Sequence, residues 1–262
     1  MTGDLIEHYG TDLIEDTRLH RSPHGRLEFL RTQELIRRHL PAAPLRILDV
    51  GGATGVHAAW LAADGHDVQV IDPVPAHVEA SAQLPGVTAQ LGDARALDAP
   101  DRTADVVMLL GPLYHLTESA DRARSLAEAV RVLRPGGLLV AAGISRYLTL
   151  LEMGSDGNLT ADAEPSLRAV MTTGSYDGHV GFLPSHFHTA DELVAEVRTA
   201  GVNDVIVYGV EGPTWAALDT AGMAAFDGLV EAAIRGARLT EQDPHLINAS
   251  AHFLAVAQTP VH

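Results

Sequence analysis

The stretch Ile47-Leu48-Asp49-Val50-Gly51-Gly52-Ala53-Thr54-Gly55 constrains this chain more than any other. A short apolar run stops in glycines, and an apolar pattern of helical length, Val56 to Ala63, follows at once. Glycine tolerates positive φ and lets backbone approach a ligand closely. A helix that starts directly behind such a turn presents unpaired N–H groups and the positive end of its dipole. In open α/β sheets, small molecules bind in the crevice at the carboxyl ends of the strands. These nine residues therefore predict a strand, a turn and a helix wrapped around a ligand site.

The same rhythm continues downstream. Asp67 to Ile71 reads as a second strand, stopped by Asp72-Pro73, and Ala76 to Leu84 as a helix. Val87 to Leu91 and Asp105 to Leu110 read as the third and fourth strands, ended by Gly92-Asp93 and Gly111-Pro112. Asp121 to Leu133 is a helix broken at Pro135-Gly136-Gly137, and Leu138 to Ile144 a fifth strand. Alternating strands and helices, with strands that are apolar throughout, predict a parallel sheet covered on both faces. Upstream, Leu27, Leu30, Leu35, Ile36 and Leu40 recur near helical spacing until Pro41 and Pro44. Arg146 to Phe187 breaks the rhythm; it is too long for an ordinary connection and reads as an insertion over the ligand end of the sheet. Ala190 to Ala200 is again a helix, and Trp215 to Arg238 is mostly helical. Val205 to Val210 and Ala251 to Ala257 are late strands that could close the sheet as a pair, the last one antiparallel. The expected organisation is a single domain, with a helical cap over 1–43, a ligand-binding core over 44–145, a lid over 146–188 and the rest of the sheet over 189–262.

The dinucleotide fingerprint G-x-G-x-x-G fails in both registers: from Gly51 it meets Ala53 and Val56, and from Gly52 it meets Thr54 and His57. The pattern resembles instead motif I of the class I S-adenosylmethionine (SAM)-dependent methyltransferases, an acidic residue followed by G-x-G-x-G, with Ala53 at the middle glycine. Three further elements carry the resemblance: Asp72 at the end of the second strand, Leu91-Gly92-Asp93-Ala94-Arg95 after the third, and Arg131-Val132-Leu133-Arg134-Pro135-Gly136-Gly137 before the fifth. Together they span about Ile47 to Ile144, and the relatives they point to are of the ubiquinone/menaquinone-biosynthesis type.

The resemblance implies an α/β, Rossmann-like sheet of seven strands, mostly parallel with one reversed strand, and SAM as cofactor. It implies cofactor contacts from Asp49, Gly51, Gly52, Ala53 and Gly55, ribose binding by Asp72 beside Pro73, and adenine contacts from Asp93, Ala94 and Arg95. Leu110, at the end of the fourth strand, joins this cofactor set. Arg26, with Arg31 as second choice, stands where related enzymes hold the methionine carboxylate, which a planar guanidinium suits.

Methyl transfer from a sulfonium needs alignment and exclusion of water, and a base only where the nucleophile carries a proton of high pKa. Histidine is the natural base near neutral pH. Among 14 histidines, His115 after the fourth strand and His188 beside the insertion are the catalytic candidates. Tyr9, Tyr114, Tyr176 and His186 are candidates for the substrate wall. His186-x-His188 would be half a metal site, but no third ligand announces itself in the sequence, so no metal is expected.

Composition excludes several alternatives. There is no cysteine, and all 18 basic residues are arginine, which removes thiolate and Schiff-base chemistry and the lysine of a phosphate-binding P-loop. A net charge of −16 argues against a nucleic-acid partner, which needs clustered cations. No apolar run approaches a membrane span, and Met1 to Tyr9 lacks the basic and apolar regions of a signal peptide. The expectation is a cytoplasmic enzyme that methylates an oxygen, nitrogen or carbon of a small molecule. Oligomeric state, an NAD-dependent oxidoreductase and a non-catalytic SAM-binding module stay open.

Overall fold

The computed structural model describes residues 19–42, 44–178 and 182–261. Tyr9, an expected substrate contact, lies outside the described residues.

Helix α1 (Pro23–His39) opens with the Ser22 side chain accepting a hydrogen bond from Gly25 N and with Pro at its first position. It buries Leu27, Leu35 and Ile36, whereas Leu30 stands exposed. Then come β1 (Arg46–Val50), α2 (Val56–Ala63), β2 (Asp67–Asp72), α3 (Pro75–Ser81), β3 (Val87–Leu91) and β4 (Ala104–Leu109). A single turn α4 (Pro112–His115) and helix α5 (Ser119–Val132) lead to the long strand β5 (Leu133–Ile144). The segment that breaks the rhythm holds α6 (Leu148–Asp156), α7 (Glu164–Thr173) and a two-residue pair, β6 (Ser175–Tyr176) with β7 (Ser185–His186). Helix α8 (Ala190–Thr199), strand β8 (Ile206–Gly209), helices α9 (Trp215–Ala221) and α10 (Phe226–Thr240) and strand β9 (His252–Gln258) complete the order.

The sheet runs β3-β2-β1-β4-β5-β9-β8. Strand β9 is antiparallel to both its neighbours, and every other pair is parallel. The expected seven strands with one reversed strand are therefore present. Alternate residues of each strand face opposite layers. Leu48, Val107 and Leu139 pack against Leu126, Ala129 and Val132 of α5 and Leu193 and Val197 of α8. Ile47, Val106 and Val140 pack with Leu35 and Ile36 of α1 and Ala58 and Leu61 of α2. Both faces being covered is why the strands read as continuous apolar runs.

The sequence reading of β5 needs correction. Pro135-Gly136-Gly137 does not separate helix from strand; it is a bulge inside β5, where Ala104 pairs with Leu133 and Val106 with Leu138. Gly136 takes φ +73° there, and Thr259 Oγ1 ties the bulge by accepting from Gly137 N and donating to Arg134 O. Glycine and proline mark a bulge in a strand as readily as a break between elements.

Among the described residues, no helix is long and apolar enough to cross a membrane.

Candidate functional site

The β1–α2 turn is built by its own geometry. Gly51 takes φ +68°, and a Cβ on it would lie 2.8 Å from the Pro112 ring of α4. Glycine is therefore required there twice, for conformation and for the close approach of the β4–α4 loop. Gly55 caps α2 in the left-handed region. Ala53 also sits at positive φ, +48°. This is where the sequence departs from the three-glycine pattern, and the departure is backbone strain rather than only an added methyl group. A left-handed L-residue costs about 1–2 kcal/mol, and the looser unfolded state of glycine offsets part of that. Ala53→Gly is expected to raise unfolding stability by about 0.5–1 kcal/mol. A lower denaturation midpoint in urea would instead show that the Ala53 methyl group packs favourably.

Asp72 ends β2 with its carboxylate buried and spoken for: Oδ2 accepts from Ala53 N (3.0 Å) and Oδ1 from Val74 N (2.9 Å), with His77 Nδ1 at 3.1 Å. The carboxylate thus ties the turn after β1 to the end of β2. Asp49, one strand over, is 1% exposed, and its Oδ2 has no hydrogen-bond partner among the described residues. Burial, and then the charge of Asp72, push the Asp49 carboxyl up to about 7. An orphaned buried carboxylate is costly unless a ligand supplies a donor or a cation.

Two adjoining cavities open at the carboxyl ends of the strands. The larger holds about 380 Å³. One side is Asp72, Pro73, Asp93, Ala94 and Arg95; the other is Tyr114, His115, Tyr176, Phe182 and Phe187. The smaller, about 80 Å³, is bounded by Asp49, Gly51, Gly52, Ala53, Leu110, Glu28 and Thr32. Asp93 is held by Arg95 through both carboxylate oxygens, which keeps its carboxyl below the usual range. Arg95 in turn reaches Asp121 at 2.8 Å. The acidic residues expected at three strand ends therefore converge on one crevice.

Tyr114, His115 and Tyr176 stand on the cavity wall. Tyr176 stacks on Phe187 with ring centres 4.8 Å apart, and Phe182 lies 5.5 Å from the His115 ring. His188 does not reach the cavity. It is fully buried; its Nε2 lies 3.2 Å from Glu196 Oε2, and its Nδ1 is turned to Gly143 of β5. Burial lowers its pKa, and Arg122 completes the cluster from α5 through Glu196. His186 likewise pairs with Glu192 and is absent from the cavity wall. The period-two pattern of His186 and His188 was legible, but not that the β7 edge points both rings toward α8.

The arginine expectation also fails. The Arg26 guanidinium lies over the Phe226 ring at 4.5 Å, and Arg31 is fully buried, bonded to Val210 O, Glu34 and Glu241. The face of α1 turned to the cavities carries His24, Glu28 and Thr32, one helical turn apart. Sequence reasoning missed these, as it missed Thr149 and Glu152 of α6, Glu211 after β8 and His252 at the start of β9. His24 and His252 line the larger cavity and flank the buried Glu211 at 3.3 and 2.6 Å. No local motif marks them, because α1 and β9 stand at opposite ends of the sequence.

The family of methyltransferase domains matches residues 47–137, from the first residues of the turn strand to the bulge of β5. Residues 47–137 therefore carry a methyltransferase domain. An uncharacterized methyltransferase of Mycobacterium tuberculosis (strain ATCC 25618 / H37Rv) is 41% identical over 101 residues, 38% of this chain and 40% of that protein. The match thus spans about two fifths of the length of such curated relatives. A ubiquinone biosynthesis O-methyltransferase of Cereibacter sphaeroides is 30% identical over 171 residues, 63% of each protein. A crystal structure of a SAM-dependent methyltransferase from Thermotoga maritima superposes with a TM-score of 0.62 at 18% identity, covering 98% of this chain and 99% of that one; this likeness concerns the fold alone. The similarity in sequence is concentrated in the methyltransferase domain, which holds the glycine turn, Asp72 and Asp93. The aromatic side of the cavity, from Tyr176 to Phe187, falls outside the matched residues.

Proposed function

We propose that this chain transfers the methyl group of SAM to a small-molecule nucleophile held between the β4–α4 turn and the segment 146–188. The observation that carries the reading is the convergence of Asp49, Asp72 and Asp93 on one crevice beside a glycine turn. SAM fits these residues: its cationic methionine end matches the orphaned Asp49 oxygen, and its ribose hydroxyls are donors for the Asp72 carboxylate. Gly51, Gly52, Ala53, Gly55 and Leu110 shape the floor, Pro73 fixes the chain after Asp72, and Ala94 and Arg95 stand with Asp93 at the adenine end. When bound, SAM supplies an electrophilic methyl group on a sulfonium and a leaving group that departs as a neutral thioether.

The chain's own task is to align the acceptor and keep water away. Tyr114, Tyr176, Phe182 and Phe187 offer flat apolar surface, which suits an acceptor with a ring or an unsaturated chain. Helix α6 borders the cavity through Leu148, Thr149 and Glu152, and the segment adds Tyr176, Phe182 and Phe187, so we read it as a substrate lid. His115 accepts the proton that the nucleophile loses. His115→Asn is expected to lower turnover about 10²-fold or more while SAM affinity stays within about twofold. His188→Asn should act on thermal stability instead, because its ring is buried with Glu196. Equal kinetic damage from both substitutions would remove His115 from this role.

Calorimetric titration with SAM, followed by transfer of isotopically labelled methyl to candidate acceptors, tests the reading directly. Absence of SAM binding sinks it; binding without transfer to any acceptor supports a binding module instead.

A further inference from the structure

At the boundary of the two cavities, four potential ligand atoms meet: His24 Nε2, Glu28 Oε2, Glu211 Oε1 and His252 Nδ1 all lie within 4.8 Å of one another. We propose that these residues form a site for a divalent cation of borderline softness, such as zinc or cobalt(II), opening onto the larger cavity.

The support around the cluster is what a metal site needs. Glu211 is fully buried, and its Oε2 is already occupied by Ser250 Oγ (2.8 Å) and His252 N (2.9 Å). That leaves Oε1 aimed at the two imidazoles, at 2.6 Å from His252 Nδ1 and 3.3 Å from His24 Nε2. Ser250, itself buried, also accepts from Glu211 N and Gly212 N, so the carboxylate cannot swing away. The His24 ring packs on Trp215 at 4.5 Å and lies alongside His252 at 5.6 Å. Such outer contacts fix ring orientation and ligand basicity. The four residues come from α1, the segment just after β8 and the start of β9, all anchored on the sheet or in the core.

Orienting a base requires one imidazole and one carboxylate. Here two of each converge, with Glu28 Oε2 3.9 Å from the same His252 nitrogen. Two nitrogen and two oxygen donors suit zinc, cobalt or nickel, whereas calcium and magnesium prefer oxygen alone. The second mixed cluster, His186, His188 and Glu196, lacks this character: Arg122 already neutralises Glu196 at 2.8 Å. Among the described residues, Glu211 meets only histidines as charged partners.

The position gives the cation a task. His24 and His252 line the larger cavity together with Thr149, whose buried Oγ1 has no hydrogen-bond partner among the described residues. An acceptor hydroxyl placed there would add to the cation as a fifth ligand and lose its proton more readily, the proton passing to His115 or to solvent. This second step rests on the methyl-transfer reading and narrows the acceptor class to hydroxyl-bearing molecules; cation binding itself does not depend on it.

The test uses the full chain, stripped with a chelator, dialysed, and titrated with zinc chloride and cobalt(II) chloride by calorimetry and visible absorption. The expected result is saturable binding of one cation per chain, with cobalt d–d bands of a mixed N/O environment. Glu28→Gln and His252→Asn should each weaken binding at least about tenfold. His188→Asn, in the other cluster, should leave it unchanged. Far-UV circular dichroism checks that each variant folds; should His252→Asn unfold, Glu28→Gln, a near-isosteric change on α1, carries the test alone. No saturable binding by either metal up to about 1 mM, binding undiminished in both ligand variants, or loss in His188→Asn overturns the proposal. SAM is titrated into the same wild-type samples. Cation binding without SAM binding would sink the methyl-transfer reading alone, and SAM binding without cation binding would sink the metal site alone.

Discussion

Asp72→Ala is expected to abolish measurable SAM binding at concentrations that saturate the wild-type chain. The side chain has two separate jobs. As the proposed ribose acceptor it keeps one free lone pair, on Oδ2, for a charge-assisted hydrogen bond of about 1.5–3 kcal/mol, so losing it weakens binding roughly 10- to 10²-fold. It also receives Ala53 N and Val74 N and faces His77 in a buried setting. Alanine leaves those donors unmatched, which costs about 1–3 kcal/mol each where water cannot reach them. Both effects bear on affinity, because Ala53 N holds the turn that lines the cofactor floor. Asp72→Asn separates them: it retains an acceptor oxygen for the turn but loses the charge, so stability should recover more than affinity does. Calorimetry with SAM and urea unfolding of all three proteins give the comparison. Wild-type affinity in Asp72→Ala would remove the ribose role and, with it, the main support for a SAM site.

The second large effect is one of pH. The Asp49 carboxyl is held at about 7 by burial and by the neighbouring charge of Asp72, whereas in the unfolded chain it titrates near 3.9 as a free aspartate does. Between those values the folded protein binds the extra proton. Stability is therefore greatest below the unfolded pKa, falls as pH rises toward 7, and levels off above it. About three pKa units correspond to roughly 4 kcal/mol for a fully buried group. Other titratable groups bordering the same small cavity are Glu28 from α1, His57 from α2, Tyr114 from α4 and His252 from β9. A carboxylate ionised beside it would oppose ionisation of Asp49, as Asp72 does; a protonated histidine would favour it.

A cationic cofactor reverses the preference and draws Asp49 into its ionised form. Apparent SAM affinity should rise by up to about tenfold per pH unit from pH 5.5 to 7 and flatten above. Titrations in two buffers of different protonation enthalpy should show up to one proton released per SAM bound at pH 6. Asp49→Asn should remove the pH slope, weaken SAM binding and raise stability at pH 8, since asparagine buries no charge. A flat affinity profile with no proton release would separate Asp49 from the cofactor.

The cofactor side of the site was legible because its parts are local. A strand, a turn and a helix start lie within a dozen residues, and chain geometry alone brings Gly51, Ala53 and Gly55 to the carboxyl edge of β1. Asp72 and Asp93 follow from the same rule, since each ends a parallel strand at the same edge. The acceptor side was read less well for the opposite reason. His188 and His186 have the right residue type and neighbourhood, yet the short β6–β7 pair turns them toward Glu196 and Glu192. Arg26 occupies the expected place in sequence, but one helical position decides whether a side chain faces the cavity or Phe226.

By itself, then, the order of residues determined the alternating architecture and the turn with its acidic residues at the strand ends, because these depend on periodicity and on what glycine and aspartate do within a few residues; the reversed final strand was implied by the family resemblance. Only the tertiary structure decided which histidines meet. His24 and His252 are separated by most of the chain, and they share Glu211 because the antiparallel return of β9 sets its first residue beside the end of β5 and under α1. Contacts of that kind are fixed by packing of whole layers, and no short pattern of residues encodes them.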